Sequence, residues 1–277
     1  MKLSIVVVSH NACNLLRIGL NAAIRAAQGI SHEVFVVDNA SVDSSIAMLN
    51  NDFQDINIIA NDKNEGIAKA YNQALRQVQG EYILLVNADT ITGKKTVEKV
   101  LEFMDHHPDA GGLGVRMITP EGSFLKESKR GFNRPWEAFF RLTGLARYFS
   151  KSRLNNPPSK DWVDEFQTSE TDVINGAFML LRRSAVNSAG LMDEHFHTYG
   201  YDIDYSYRIK LAGFRNYYFG KTYIINFDIQ NKVKISWNHI KDYYGAMIIF
   251  ATKYLFKVPE LKVEGIPQLI PPSYEVK

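Results

Sequence analysis

The chain has 277 residues, 45% of them hydrophobic and 22% charged, with a formal net charge of +2 and a single cysteine, Cys13. These values suit one large globular domain, or a core with a smaller appendage, and a balance so near neutral does not indicate a nucleic-acid partner. One cysteine excludes a disulfide framework and a cysteine-rich zinc site, and it fits a reducing compartment.

The first apolar run, "LSIVVV" from Leu3, is continuous and rich in valine, as a parallel strand buried on both faces should be. It stops at Val8 with no small-residue cleavage site after it, so it is not expected to be a signal peptide. A helix is predicted over 14–27, where Leu16, Leu20, Ala23 and Ala27 share one stripe. Strands are then predicted over 33–37, 56–60 and 81–86, separated by helices over 42–51 and 67–78. Strand–helix alternation is the signature of βαβ crossovers and a mainly parallel sheet.

After about residue 110 the pattern loosens. A strand is expected over 111–118, an aromatic-rich helix over 134–149 and a polar, proline-bearing loop over 150–161. A strand-like run follows over 171–183. The segment 201–213 reads as a helix, with Asp202 and Asp204 in its first turn and Gly213 at its end. An amphipathic helix over 237–257 precedes a tail with Pro267, Pro271 and Pro272, expected to be extended. The run "YYGAMIIFA" from Tyr243 is far too short to span a bilayer.

In open parallel sheets, ligands bind outside the carboxyl ends of the strands. Polar residues gather at those ends here: Ser9 to Asn11 after strand one, Asp38 after strand two, and Asn87 and Asp89 after the strand at 81–86. Asn64 and Gly66 stand just before a helix N-terminus. Each has a plain structural reading. Asp38 with Ser41 could cap a helix starting near Val42, Gly66 could supply a positive φ, and Asp89 could belong to a turn. Together they are hard to assign to turns alone. Asp38 could accept hydrogen bonds from a base or a ribose, and Asp89 could hold a divalent cation bridging phosphates. A nucleoside diphosphate meets both demands.

The segments "SIVVVSHN", "EVFVVDNASVDSS", "NDKNEGIAKAYNQAL", "GEYILLVNADT", "NGAFMLLRRSAVNSAGLMDEHF" and "YDIDYSYRIKLAGF" run in order from near residue 3 to about 215. Together they resemble the family 2 glycosyltransferases, which have the GT-A fold, and most of all their rhamnosyltransferase-like branch, which builds bacterial surface polysaccharide. The resemblance implies an α/β GT-A domain over 1–230. Its nucleotide-sugar-binding half is 1–110 and its acceptor half 111–230, with a C-terminal helix and tail over 231–277. It implies inverting transfer of a sugar from a dTDP- or UDP-sugar to a hydroxyl of a glycan or lipid-linked acceptor, in the cytoplasm. Asp38 matches the aspartate that reads the base. Asp89 matches the last aspartate of the DxD-type motif, which holds Mg2+ or Mn2+ on the diphosphate. Asp202 matches the aspartate of a Glu-Asp pair, the general base. Ser9, Asn11, Asn64, Gly66 and Asn87 complete the expected nucleotide-sugar site.

The departures are specific. The DxD-type motif reads Asn87-Ala88-Asp89, with one carboxylate, and Tyr201 stands where the family has glutamate. Asn226 aligns where relatives often carry a metal-binding histidine, with His195, His197 and His239 as substitutes nearby. These departures motivate an alternative, a catalytically weakened homologue that binds a nucleotide sugar. A sugar-nucleotide pyrophosphorylase would need a glycine-rich basic loop after strand one, and "SHNACN" has neither glycine nor lysine.

Trp136, Phe139, Tyr199 and Tyr201 are expected around the second half of the cleft. Trp136, Tyr199 and Tyr201 are the acceptor candidates, against the rule that aromatics at helical spacing are core. Asp202 and Asp204 lie two residues apart on one helix and point to nearly opposite sides. Asp204 precedes Arg208 by four residues, the spacing of an ion pair. Asp202 is therefore the expected base, its pKa lowered by the helix N-terminus. The last helix, with Lys241, Lys253 and Lys257, either packs on the domain or rests partly on the inner face of the plasma membrane, where lipid-linked acceptors reside.

Overall fold

The structure is a computed structural model, and it describes residues 1–130, 134–145, 164–227 and 237–255. In chain order it begins β1 (Leu3–Ser9), α1 (Cys13–Ala26), β2 (His32–Asp38), α2 (Ser45–Asp52), β3 (Asn57–Ala60), α3 (Ile67–Leu75) and β4 (Tyr82–Asn87). The four strands are parallel neighbours in the order β3-β2-β1-β4. Successive side chains on a strand point to opposite faces. Leu3, Ile5 and Val7 accordingly enter one core layer with Leu16, Leu20 and Ala23 of α1 and Met48 and Leu49 of α2. Val6 enters the other with Ala70, Tyr71 and Ala74 of α3. Burial on both faces is why these strands read as unbroken apolar runs.

The chain continues with β5 (Thr90–Thr92), α4 (Thr96–His106), β6 (Ala110–Ile118), α5 (Glu127–Arg130), α6 (Arg134–Thr143), β7 (Ser169–Thr171), β8 (Phe178–Arg182), α7 (Arg183–Ala189), α8 (Tyr201–Leu211), β9 (Arg215–Asn226) and α9 (Trp237–Leu255). Among the described residues the sheet has nine strands, ordered β3-β2-β1-β4-β8-β6-β9-β5 with β7 paired to β9. β8 runs antiparallel to both β4 and β6, and β6 runs parallel to β9. The result is the expected mainly parallel, mixed sheet, flanked on one face by α1, α2 and α4 and on the other by α3, α6, α7, α8 and α9.

Several boundaries differ from expectation, each for a local reason. α2 starts at Ser45, not Val42, because Asp43 Oδ1 accepts both the Ser45 N–H (2.9 Å) and its hydroxyl (2.5 Å). The strand expected over 171–183 is split. Asn175 Oδ1 takes the Ala177 N–H at 2.9 Å, a side-chain turn that competes with a ladder, and β8 begins only at Phe178. α4 was not expected, although Val97, Val100, Leu101 and Met104 form a buried stripe at helical spacing.

Two side chains correct larger expectations. Trp136 is 3% exposed and packs against Phe139, Phe140, Tyr243 and Phe250, so it belongs to the core and not to an acceptor surface. Lys253 turns inward onto carboxylates and does not belong to a membrane-facing stripe. Tyr244 and Ile248 are exposed, as is Lys241. The loop at 150–161, Lys257, the side chain of His239 and the proline-bearing tail lie outside the described residues. Among the described residues no helix is long and apolar enough to cross a membrane.

Candidate active site

The parallel register brings the polar strand ends together. Ser9 lies opposite Asp38, Val8 opposite Asn87, and Asp38 opposite Ala60. Asp38 divides its two oxygens. Oδ1 accepts the Ser41 N–H at 2.8 Å, which closes the turn after β2. Oδ2 is buried and has no hydrogen-bond partner among the described residues, and the same holds for Ser9 Oγ beside it. A buried polar atom without a partner costs about 1–3 kcal/mol. Two such atoms on the paired ends of β1 and β2 are what a site made for a polar ligand leaves open.

The loops around them are held by neutral amides. Asn39 Nδ2 donates to Asn64 Oδ1 at 2.9 Å, and Asn39 Oδ1 accepts from Asn61 Nδ2 at 3.1 Å and from the Glu65 N–H at 3.0 Å. Asn64 Oδ1 also takes the Gly66 N–H at 3.0 Å. Gly66 has φ of 84°, which favours glycine, and a Cβ there would lie 2.7 Å from the His197 ring. Asn11 ties the β1 loop to the β2 loop: its N–H donates to Ser41 Oγ and its Oδ1 accepts the Val42 N–H, both at 2.8 Å. Asn11, Asn64 and Gly66 thus shape the rim. Asn39, the centre of the network, was missed, although it directly follows Asp38.

Asn87 ends β4. Its N–H donates to the Ala177 carbonyl and its Oδ1 accepts from the buried Tyr71 hydroxyl, both at 3.3 Å. Asp89 follows. Thr90 pairs with Asn226 across β5 and β9, and the Phe227 N–H donates to the Asp89 carbonyl at 3.3 Å, so Asn226 stands beside Asp89. Among the described residues no three of His, Cys, Asp and Glu gather as a protein-only metal cage would need. Neither nearby histidine completes one: His195 bonds Asp193 at 2.7 Å and His197 covers Gly66. Mg2+ is commonly held by one or two carboxylates with substrate phosphates supplying the rest. Asp89 fits such a one-carboxylate site.

Asp202 lies in the first turn of α8. Its Oδ2 accepts the Gly176 N–H at 3.2 Å and its Oδ1 the Ile203 N–H at 2.9 Å. Burial pushes its pKa up to about 6, against the pull of those N–H groups. The expected lowering by the helix N-terminus is therefore reversed, because desolvation outweighs the donors. Burial, and then the charges of Asp89 and Asp202, raise the Tyr71 hydroxyl too, so it stays protonated. Tyr71 lies within electrostatic reach of both carboxylates, and on the sequence it was only one aromatic in a helix. Tyr201 is buried with its ring 6.0 Å from Tyr71, and any Cβ on Gly176 would collide with its hydroxyl. It floors the site rather than offering a face to an acceptor. Tyr199 is half-buried, edge-on to Tyr243 at 5.2 Å.

Asp204 does different work. It is 1% exposed and accepts from Lys253 Nζ at 2.7 Å and from the Tyr254 hydroxyl at 2.6 Å. The expected ion pair with Arg208 is also present, longer, at 3.7 Å.

The model of the family described as "Glycosyl transferase family 2" matches residues 4–188, about two thirds of the chain. The chain belongs to glycosyl transferase family 2. It is 22% identical over 231 residues to an N-acetylglucosaminyl-diphospho-decaprenol L-rhamnosyltransferase of Mycobacterium tuberculosis, covering 78% of this chain and 73% of that one. It is 24% identical over 189 residues to a poly-beta-1,6-N-acetyl-D-glucosamine synthase of Staphylococcus aureus, covering 66% of this chain and 40% of the synthase. The fold is also that of S. aureus TarS 1–349 in complex with UDP-GlcNAc, with a TM-score of 0.62 and 21% identity over 95% of this chain and 68% of that one. It is shared with the mannosyltransferase PcManGT of Pyrobaculum calidifontis in complex with GDP-Man and Mn2+, with a TM-score of 0.60 and 16% identity over 91% of this chain and 64% of that one. The chain spans 41% of the longer TarS structure. The fold is therefore GT-A. The family match ends before Asp202, so α8 and α9 lie beyond the matched residues.

Proposed function

We propose that this chain transfers a sugar from a dTDP- or UDP-sugar to a hydroxyl of a glycan or lipid-linked acceptor, with inversion at the anomeric carbon, in bacterial surface polysaccharide synthesis. One observation carries the reading. A half-buried carboxylate with a pKa raised to about 6, Asp202, and a second one, Asp89, both act on the Tyr71 hydroxyl at the edge where Ser9 and Asp38 leave polar atoms open. A general base works best when its pKa lies near the working pH. Asp202 takes the proton of the acceptor hydroxyl. The acceptor oxygen forms its bond to the anomeric carbon as the bond to the diphosphate breaks, and the nucleoside diphosphate leaves with the electron pair. Ser9 Oγ and Asp38 Oδ2 hold the nucleoside, and Asn87 and the amide-held loops exclude water from its diphosphate side. Asp89 would hold Mg2+ or Mn2+, which when bound would draw negative charge from the departing diphosphate.

The test is a melting screen of UDP-, dTDP- and GDP-sugars with and without Mn2+. Ligand at 100 times its dissociation constant stabilises by about 2.7 kcal/mol. The matching nucleotide raises the melting temperature, and Asp89→Ala removes the part that depends on Mn2+. No shift with any nucleotide at millimolar concentration rejects the donor site. Melting shifts without sugar transfer would favour the weakened homologue, which Tyr201 and Asn226 motivate. A peripheral membrane contact would use Lys241, Tyr244 and Ile248. Sedimentation with anionic vesicles tests it, and protein left wholly in the supernatant rejects it.

A further inference from the structure

The first turn of α8 carries Asp202, and its local support is slight. Its N-cap is Gly200, at φ 81°, and no side chain caps the turn. Within the turn, Asp202 Oδ1 accepts the Ile203 N–H at 2.9 Å, and Arg208 lies 3.7 Å from Asp204. A stronger anchor comes from far along the chain. Lys253 Nζ bridges Asp204 Oδ1 and Asp193 Oδ2, each at 2.7 Å, and the Tyr254 hydroxyl donates to the same Asp204 oxygen at 2.6 Å. Asp193 lies in the segment leading into α8, whose neighbours are pinned to α3. Asn72 exchanges two hydrogen bonds with the Met192 backbone at 2.9 Å, and the Ile67 N–H donates to the His197 carbonyl at 2.6 Å. A buried ion cluster is a poor source of net stability, because desolvation offsets the attraction. What it supplies well is one fixed geometry. Here that geometry is the rotation of the turn in which Asp202 meets the Gly176 N–H.

We propose that Lys253 and Tyr254 of α9 are positioning residues: through Asp204 they hold the first turn of α8 so that the Asp202 carboxylate sits on the Gly176 N–H, facing the acceptor side of the cleft. The proposal rests on Asp202 being the base, and it adds that the C-terminal helix is part of the catalytic apparatus.

The Gly176 amide reads this directly. Asn175–Gly176 is the only Asn–Gly step in the sequence, so labelling asparagine carbonyl carbon and glycine nitrogen isolates that one amide by NMR. Asp202→Ala calibrates the displacement caused by losing the carboxylate. Lys253→Met and Tyr254→Phe are expected to move the resonance the same way, by half that displacement or more, at a temperature below all their melting points. Tyr254→Phe removes a single hydroxyl and keeps the test valid if Lys253→Met fails to fold. A cluster that only adds stability would lower the melting temperature and leave the resonance in place, and that result overturns the proposal. The base reading is tested separately, by sugar transfer in Asp202→Asn, so either can fail without the other.

Discussion

The edge formed by β1, β2 and β4 and the head of α8 are built by opposite means. The strand edge is assembled from neighbours in the sheet and held by neutral amides, Asn39, Asn61, Asn64 and Gln73, leaving Asp38 Oδ2 and Ser9 Oγ open. The head of α8 is assembled from distant segments and held by ions, with Asp193 and Asp204 on Lys253. The difference teaches where each kind of function can be read. An edge that only has to present hydrogen-bonding atoms follows from strand register. A carboxylate whose proton affinity must be set needs burial and an anchor from elsewhere in the chain.

The largest expected effect falls on the head of α8. Asp202→Asn should cut sugar transfer by on the order of 100-fold or more while nucleotide binding stays near the parent value. Equal loss of binding would mean that the two regions are not separable. Asp204→Ala should lower stability as well as loosen the placement of Asp202. It leaves Lys253 with one carboxylate and Tyr254 with none, and about 3 kcal/mol of unfolding free energy should be lost, measured by denaturant titration. On the strand edge, Asp38→Ala should weaken nucleoside diphosphate binding by about 10-fold or more, as calorimetry would show, with little change in melting of the free protein. A large loss of stability there would mean that Asp38 serves only its turn with Ser41.

A further effect is a stability change of unusual sign. The Asp202 pKa is raised in the folded chain from 3.8 to about 6, so folding binds a proton between those values. The group's contribution to stability is full below pH 3.8 and is lost as pH rises to about 6. Asp202→Asn should therefore melt higher than the parent at pH 7.5 and level with it near pH 4. The parent melting higher at pH 7.5 would show that the carboxylate is not desolvated.

This contrast also explains what was legible in the sequence. β1, β2 and β4 are apolar runs ending in polar residues, and position alone marked Ser9, Asp38, Asn87 and Asp89. Asp202 was marked by the family resemblance, which matches it to the aspartate of a Glu-Asp pair, and by its place in a helix's first turn. Its proton affinity was misjudged, because the donors near it are local and the burial is not. Trp136 and Lys253 were misplaced for the same reason. An aromatic or a lysine on an amphipathic helix looks alike whether its neighbour is solvent, Phe250 or a carboxylate 49 residues away. β9 went unread because "RNYYFGKTYIIN" is dense in tyrosine and lacks the plain apolar signal, although its alternating burial is that of a strand.

The most direct test is the pH dependence of nucleoside diphosphate release, from pH 5 to 8, using the nucleotide sugar that the melting screen selects. It compares the parent with Asp202→Asn and Asp204→Asn. The parent rate should fall about tenfold per pH unit below pH 6, as Asp202 takes up its proton. Asp204→Asn should keep that limb, and Asp202→Asn should be slow at every pH with no limb near 6. Release by Asp202→Asn at the parent rate, with the same acid limb, would contradict the account.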